Sequence, residues 1–173
     1  SIGAHCILRS GSVIYAGVRI GDYVEFGHHV LVRENTIIGS RSRVGTNVAI
    51  DGETAIGRYV SIQTGAYLCT FSTIEDYAFL GPCCVLVNDK YAMQKKTRLK
   101  GPVVKRGASI GANATLMAGL VVGEGAVVGS GAMVTRNVPA RTIYVGIPAR
   151  KYGDVPTDWH SLLGDLRKPR TDK

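Results

Sequence analysis

The segment NDKYAMQKKTRLKGP, residues 88–102, concentrates the chemistry of this 173-residue chain. Lys90, Lys95, Lys96, Arg98 and Lys100 stand there against a single acid, Asp89. Such a set suits anionic oxygens, because charge-assisted bonds to phosphate or carboxylate are the strong ones. A second basic group, Arg136, Arg141, Arg150 and Lys151, surrounds the run VGIPARKY at 145–152. It too is matched to phosphate, with guanidinium forks for the planar contacts. Proton transfer would ordinarily fall to histidine, and the candidates are His5, His28, His29 and His160. No metal is expected, since neither these histidines nor Cys6, Cys69, Cys83 and Cys84 show a ligand spacing such as CxxC.

A period of six must position these groups. Stepping from Ile2 gives Leu8, Ile14, Ile20, Phe26, Val32 and so on to Leu86 without a miss, and the frame resumes from Val104 to Val134. Four residues after each aliphatic stands a small or β-branched one, as at Cys6, Ser12, Val18, Val24 and Val30. Glycine often follows the aliphatic, as at Gly21, Gly39 and Gly111; we read these as corners that need unusual dihedrals. Three short flat strands then make one 18-residue coil, with aliphatics stacked inside and parallel ladders between coils. Only Ala92 and Arg98 break the frame, so 88–102 is a loop inserted in a rigid solenoid, the usual place for function. Leu31, Ile37, Tyr67, Phe79 and Val121 point outward, more apolar surface than a solitary coil should expose.

The register also assigns heights. His28 and His29 lie three coils below Pro82 and Cys83, ~14 Å along the axis, too far to serve a reaction at the loop. His5 is lower still and His160 belongs to the tail. The tail from Asp154 is expected to form a short helix over Trp159, Leu162, Leu163 and Leu166, covering the open end of the last coil. The division predicted is thus 1–139 as the coil with its basic loop, and 140–173 as an exit segment and capping helix.

The formal net charge of +8 calls for anionic partners. No apolar run is long enough to span a membrane as a helix. Nucleic acid is not expected as a partner, because stacking aromatics are not interleaved with the cations. The chain opens in mid-pattern without an initiator Met, which points to an earlier segment; with no signal peptide visible, a cytoplasmic location is expected.

The aliphatic–Gly–x–x–small–x register resembles the hexapeptide-repeat family. That resemblance implies an all-β fold, a left-handed parallel β-helix of about seven coils with one loop insertion and a short C-terminal helix. The hand comes from the resemblance alone, as the period leaves it open. VGIPARKY is similar to the closing segment of hexapeptide acyltransferases, which implies acetyl-CoA as co-substrate. IQTGAYLCTFSTIEDYAFLGPCCVLVND at 62–89 and RGASIGANATL at 106–116 look like nucleotide-sugar 3-amino N-acetyltransferases. The similarity implies a catalytic Asn88, substrate contacts at Gln63, Glu75, Asp89, His28 and His29, and cofactor contacts at Asn113, Arg136, Arg141, Arg150 and Lys151. It also implies a homotrimer acting on an anionic amino-sugar nucleotide. Without a histidine at the loop, an amine acceptor is favoured over an alcohol, since a neutral amine is already a nucleophile. An O-acetyltransferase and a non-catalytic β-helix scaffold remain the alternatives, whereas the three-histidine zinc site of γ-class carbonic anhydrases has no counterpart among these spacings.

Overall fold

The computed structural model describes residues 1–166; the end of the tail, 167–173, lies outside the described residues. Two-residue strands recur every six residues and stack into three parallel sheets, the faces of a prism. The first face holds seven strands, from Val13–Ile14 to Met133–Val134, and the second six, from Arg19–Ile20 to Val121–Val122. The third runs from Glu25–Phe26 to Val127–Val128 and ends in Thr142–Val145 and Arg150–Asp154. Each residue pairs with the one a coil away, as Leu31 with Ala49 and Ala49 with Tyr67. This is the all-β, seven-turn parallel helix that the period requires.

The second residue of each strand points inward. Ile38, Ile50, Ile62, Leu68, Ile74, Leu80, Leu86, Ile110 and Leu116 are at most 1% exposed, and each such side chain contributes ~2 kcal/mol by leaving water. Ile2 and Leu8 obey the same register but stay exposed, as members of the first described coil, with neighbours on one side only among the described residues. The small residues fill the corners beside this stack. Among them Ser42 accepts from Val60 N and donates to Gly57 O, joining neighbouring coils.

Thr36 occupies the same kind of site, yet its buried hydroxyl finds no partner. A buried unpaired hydroxyl is a net cost. Thr36→Val should therefore raise stability by about 1 kcal/mol, read as a higher denaturation midpoint with an unchanged slope.

The corner glycines serve another purpose than the one expected. Gly21, Gly39 and Gly111 do not adopt positive φ; that conformation falls two residues later, at Tyr23, Arg41 and Asn113. Glycine is needed because coils approach too closely for a Cβ: one built on Gly39 would lie 2.5 Å from the Gly57 carbonyl carbon and 2.7 Å from Arg58 N.

The closure of the solenoid also differs from expectation. Val138 bridges Val122 on the second face, Thr142–Val145 extends the third, and Met133 on the first exchanges bonds with Gly146 O and Ala149 N. Arg150–Asp154 then returns antiparallel to Thr142–Val145, ending the parallel stack. The exit segment is itself the cap. The helix is only Leu163–Leu166 and lies on the flank, where Ser161 Oγ donates to Tyr77 O and Gly164 packs on the Tyr77 ring. Trp159 and Leu162 stay about half exposed, so these two apolar side chains of the tail are not packed over the end of the coil.

Candidate functional site

Three corners, each a column of turn residues joined from coil to coil, carry the polar groups. The loop leaves the first face after Val85–Leu86 and re-enters the second at Val103–Val104, so it grows from the corner between them. Its neck is closed by Lys100 N donating to Asn88 O. Gly101 fits only as glycine, its Cβ position lying 2.4 Å from Ser72 N. Asp89 caps the first turn, accepting from Tyr91 N at 2.9 Å and Met93 N at 2.7 Å. These bonds, Tyr91 first, hold its carboxyl below the usual aspartate value. Because the folded value is depressed, this bracing is complete above the ordinary aspartate pKa and is lost as pH falls through the depressed one. Lys90 and Lys95 lie over the Tyr91 ring, and none of the five loop cations forms an ion pair among the described residues.

Asn88 itself is half-buried. Its amide nitrogen lies 3.4 Å from Thr70 O in the coil below, a long contact that leaves most of the amide's capacity unused. Beneath Thr70, Asp51 accepts from the Thr70 hydroxyl, from Tyr67 and from Arg33, so this column is braced down to the third coil. Desolvation, with Asp51 nearby, pushes the Tyr67 phenol up.

The other predicted residues stand elsewhere. Gln63 and Asn113 belong to the corner between third and first faces, as do His28 and His29, part of a column rising from Ser10 through Thr46 and Thr64 to Pro82. His28 Nδ1 is bonded to Ser10 Oγ, and the Gln63 amide donates to Ser61. Glu75 and Arg141 flank the corner between second and third faces. Glu75 pairs with Lys105 at 2.6 Å and accepts from Arg106 N at 3.0 Å. The Arg141 guanidinium donates to Trp159 O and Pro156 O, both at 2.6 Å, so it fastens the tail. Arg136 is exposed at the loop corner, Lys151 pairs with Asp154, and Arg150 donates to Ala149 O. Asn88 and Asp89 thus meet, while Gln63, Glu75 and the histidines of the same chain occupy other corners.

Sequence reasoning missed the corner of Glu75. A column of stacked rings and guanidiniums runs along it: His5 on Tyr23, Arg41 over Tyr23, Tyr59 on Tyr77, and Arg106 over Tyr77. The tail folds over its upper end and encloses a pocket of about 410 Å³, lined by Tyr77, Arg106, Ser109, Glu124, Arg141 and Trp159 among others. Steps of one coil through His5, Tyr23, Arg41, Tyr59 and Tyr77 would have found the column. Among the described residues no three His, Cys, Asp or Glu side chains group as a metal site, and no helix is long and apolar enough to cross a membrane.

With this geometry in hand, the relatives are informative. The model of the bacterial transferase hexapeptide (six repeats) matches residues 1–34 and 101–136, on either side of the loop. Over these residues the chain is similar to the hexapeptide repeats of that family. It is 27% identical over 153 residues to the bifunctional protein GlmU of Desulfitobacterium hafniense, covering 88% of the chain but 27% of the relative. The chain therefore spans about a quarter of the length of the curated relatives it matches. Among solved structures, a variant of GDP-perosamine N-acetyltransferase from Caulobacter crescentus, in complex with CoA and GDP-perosamine, superposes with a TM-score of 0.55 at 25% identity, over 83% of this chain and 57% of that one. The N-acyltransferase AntD of Bacillus cereus shares the fold, with a TM-score of 0.58 at 20% identity, covering 95% and 86% of the two chains.

Proposed function

We propose that this protein transfers the acetyl group of acetyl-CoA to the amine of a nucleotide-linked amino sugar. The observation that carries the reading is the braced loop: a closed neck sets Asn88 at its base, and five cations without acid partners among the described residues stand beside it. The loop cations suit a diphosphate. The Asn88 amide, poorly satisfied within the chain, is free to orient the amine or to donate to the oxyanion that forms when the amine attacks the thioester carbon. Collapse of that adduct breaks the carbon–sulfur bond, and the proton shed by the ammonium neutralises the departing thiolate. The GDP-perosamine N-acetyltransferase, solved with CoA and a nucleotide-linked amino sugar, supports the same chemistry.

The working unit proposed is a homotrimer. The outward strand positions of the first face, from Val13 through Leu31, Tyr67 and Val85 to Met133, carry no charge along the whole length of the coil, as expected of a surface buried between copies. Because Asn88, Gln63 and Glu75 occupy different corners, only another copy brings a second corner to the loop. A soluble protein working in the cytoplasm is the setting that acetyl-CoA and nucleotide sugars imply.

Incubating the full chain with acetyl-CoA and a panel of amino-sugar nucleotides, while following free thiol, tests the reaction. Thiol release is expected with at least one amine. Release only with a hydroxyl acceptor sinks the amine reading, and no release with any acceptor sinks acetyl transfer. Sedimentation should give a mass three times that of the chain; a monomer would refute the trimer.

A further inference from the structure

We infer that the pocket beneath the tail is a nucleobase site. Outward residues on the third face run in register Phe79, Ser109, Val127, Ile143. The two short ones in the middle, with Gly107 and Gly125 beside them at the corner, leave a notch two coils high, ~10 Å along the axis. The pocket of about 410 Å³ over this floor falls in the range of small-ligand sites. Planar groups wall it: the Arg106 guanidinium, held 4.5 Å from the Tyr77 ring centroid, and the indole of Trp159.

The tail is fastened by backbone acceptors rather than by apolar packing. Arg141 reaches the carbonyls of Pro156 and Trp159, and Ser161 reaches Tyr77 O, while Trp159 remains 51% exposed. A half-covered indole held in place at the lip of a notch is a surface on which a flat heterocycle can stack. Polar selectivity is present as well. Ser109 and Glu124 line the pocket, and the hydroxyl of the one and the carboxylate of the other have no partner among the described residues, so they can accept from ring or exocyclic N–H groups. Lower on this corner the rings of Tyr59 and Tyr77 face each other, 5.1 Å apart and 9° from parallel, and offer only edges. The notch is where the column opens.

A base can come from the nucleotide half of CoA or from a nucleoside diphosphate carried by the acceptor. Only the choice between these sources rests on the proposed reaction. Trp159 is the single tryptophan of the chain, so its fluorescence reports this pocket alone. The full chain would be titrated separately with 3′-phosphoadenosine 5′-diphosphate, UDP, dTDP, GDP, ribose 5-phosphate and inorganic pyrophosphate, correcting for absorbance. Saturable quenching by at least one base-bearing nucleotide, and by neither base-free probe, is expected. Ser109→Phe fills the notch and should weaken that quenching at least about tenfold, with Glu124→Ala weakening it in a chain whose core is untouched. Quenching by pyrophosphate alone would reduce the pocket to a charge site, and no saturable response, or full binding by both variants, would overturn the inference. Because the readout is binding, its failure leaves acetyl transfer standing, and failure of acetyl transfer leaves it standing.

Discussion

Gly111→Ala should lower stability by about 3 kcal/mol, the upper end of overpacking costs, and the melting temperature by roughly 10 °C for a domain of this size. A Cβ on Gly111 would lie 2.4 Å from Ser130 N and 2.6 Å from the Gly129 carbonyl carbon. Both atoms are backbone of the next coil, so relief requires two coils to part and with them the ladder that joins Ser109 and Ile110 to Val127 and Val128. Two comparisons isolate the cause. At Gly131, φ is +69° and nothing lies within 4 Å of the Cβ position, so alanine there should cost only the left-handed strain of about 1 kcal/mol. Gly153 has neither problem, and its alanine variant should melt with the parent. Thermal unfolding of the three variants by circular dichroism checks the order. If Gly111→Ala melted no lower than Gly131→Ala, contact between coils would not be what these glycines serve.

The same contrast shows what was legible in the sequence. The six-residue period survives because a closed coil leaves no freedom: a strand longer or shorter by one residue would turn every inward aliphatic outward. That glycine must follow the aliphatic is equally visible. Why it must is not, since the obstructing atoms belong to a coil 18 residues away. The loop's position was plain from its interruption of the period, whereas its neck depends on one backbone bond between Lys100 and Asn88.

The exit segment was read less well. VGIPARKY does not look like a strand pair, yet Thr142–Val145 takes the next rung of the third face and Arg150–Asp154 turns back along it. The tail's path rests on the Arg141 guanidinium and Ser161, side-chain bonds that no hydrophobic periodicity announces. The Arg141 guanidinium, expected at the cofactor, donates to tail carbonyls that no sequence pattern marks. The separation of Asn88, Gln63 and Glu75 onto three corners was implicit in the coil length, because residues two thirds of a coil apart cannot share a corner.

Asn88→Ala should reduce kcat for acetyl transfer by at least about a hundredfold, the usual cost of losing a donor to a developing oxyanion, with little change in KM for acetyl-CoA. Stability should hold, because the amide's contact to Thr70 O is long and the loop neck uses the Asn88 backbone rather than its side chain. Asn88→Asp sharpens the test. It keeps the shape and an acceptor but removes the N–H₂ donor and adds a negative charge, so a role in stabilising the oxyanion predicts a rate as low as alanine's. If the side chain only orients the amine by accepting its N–H, aspartate should instead retain most of the turnover. Lys95→Ala and Lys96→Ala belong beside these variants. Their loss should raise KM for a diphosphate-bearing acceptor while sparing kcat, since the cations would bind ground state and transition state alike. A drop in kcat confined to Asn88, with a rise in KM confined to the lysines, would divide the braced loop into a reacting base and a binding arm. Full turnover by Asn88→Ala would remove Asn88 from the reaction altogether, and with it the reason for placing chemistry at this corner.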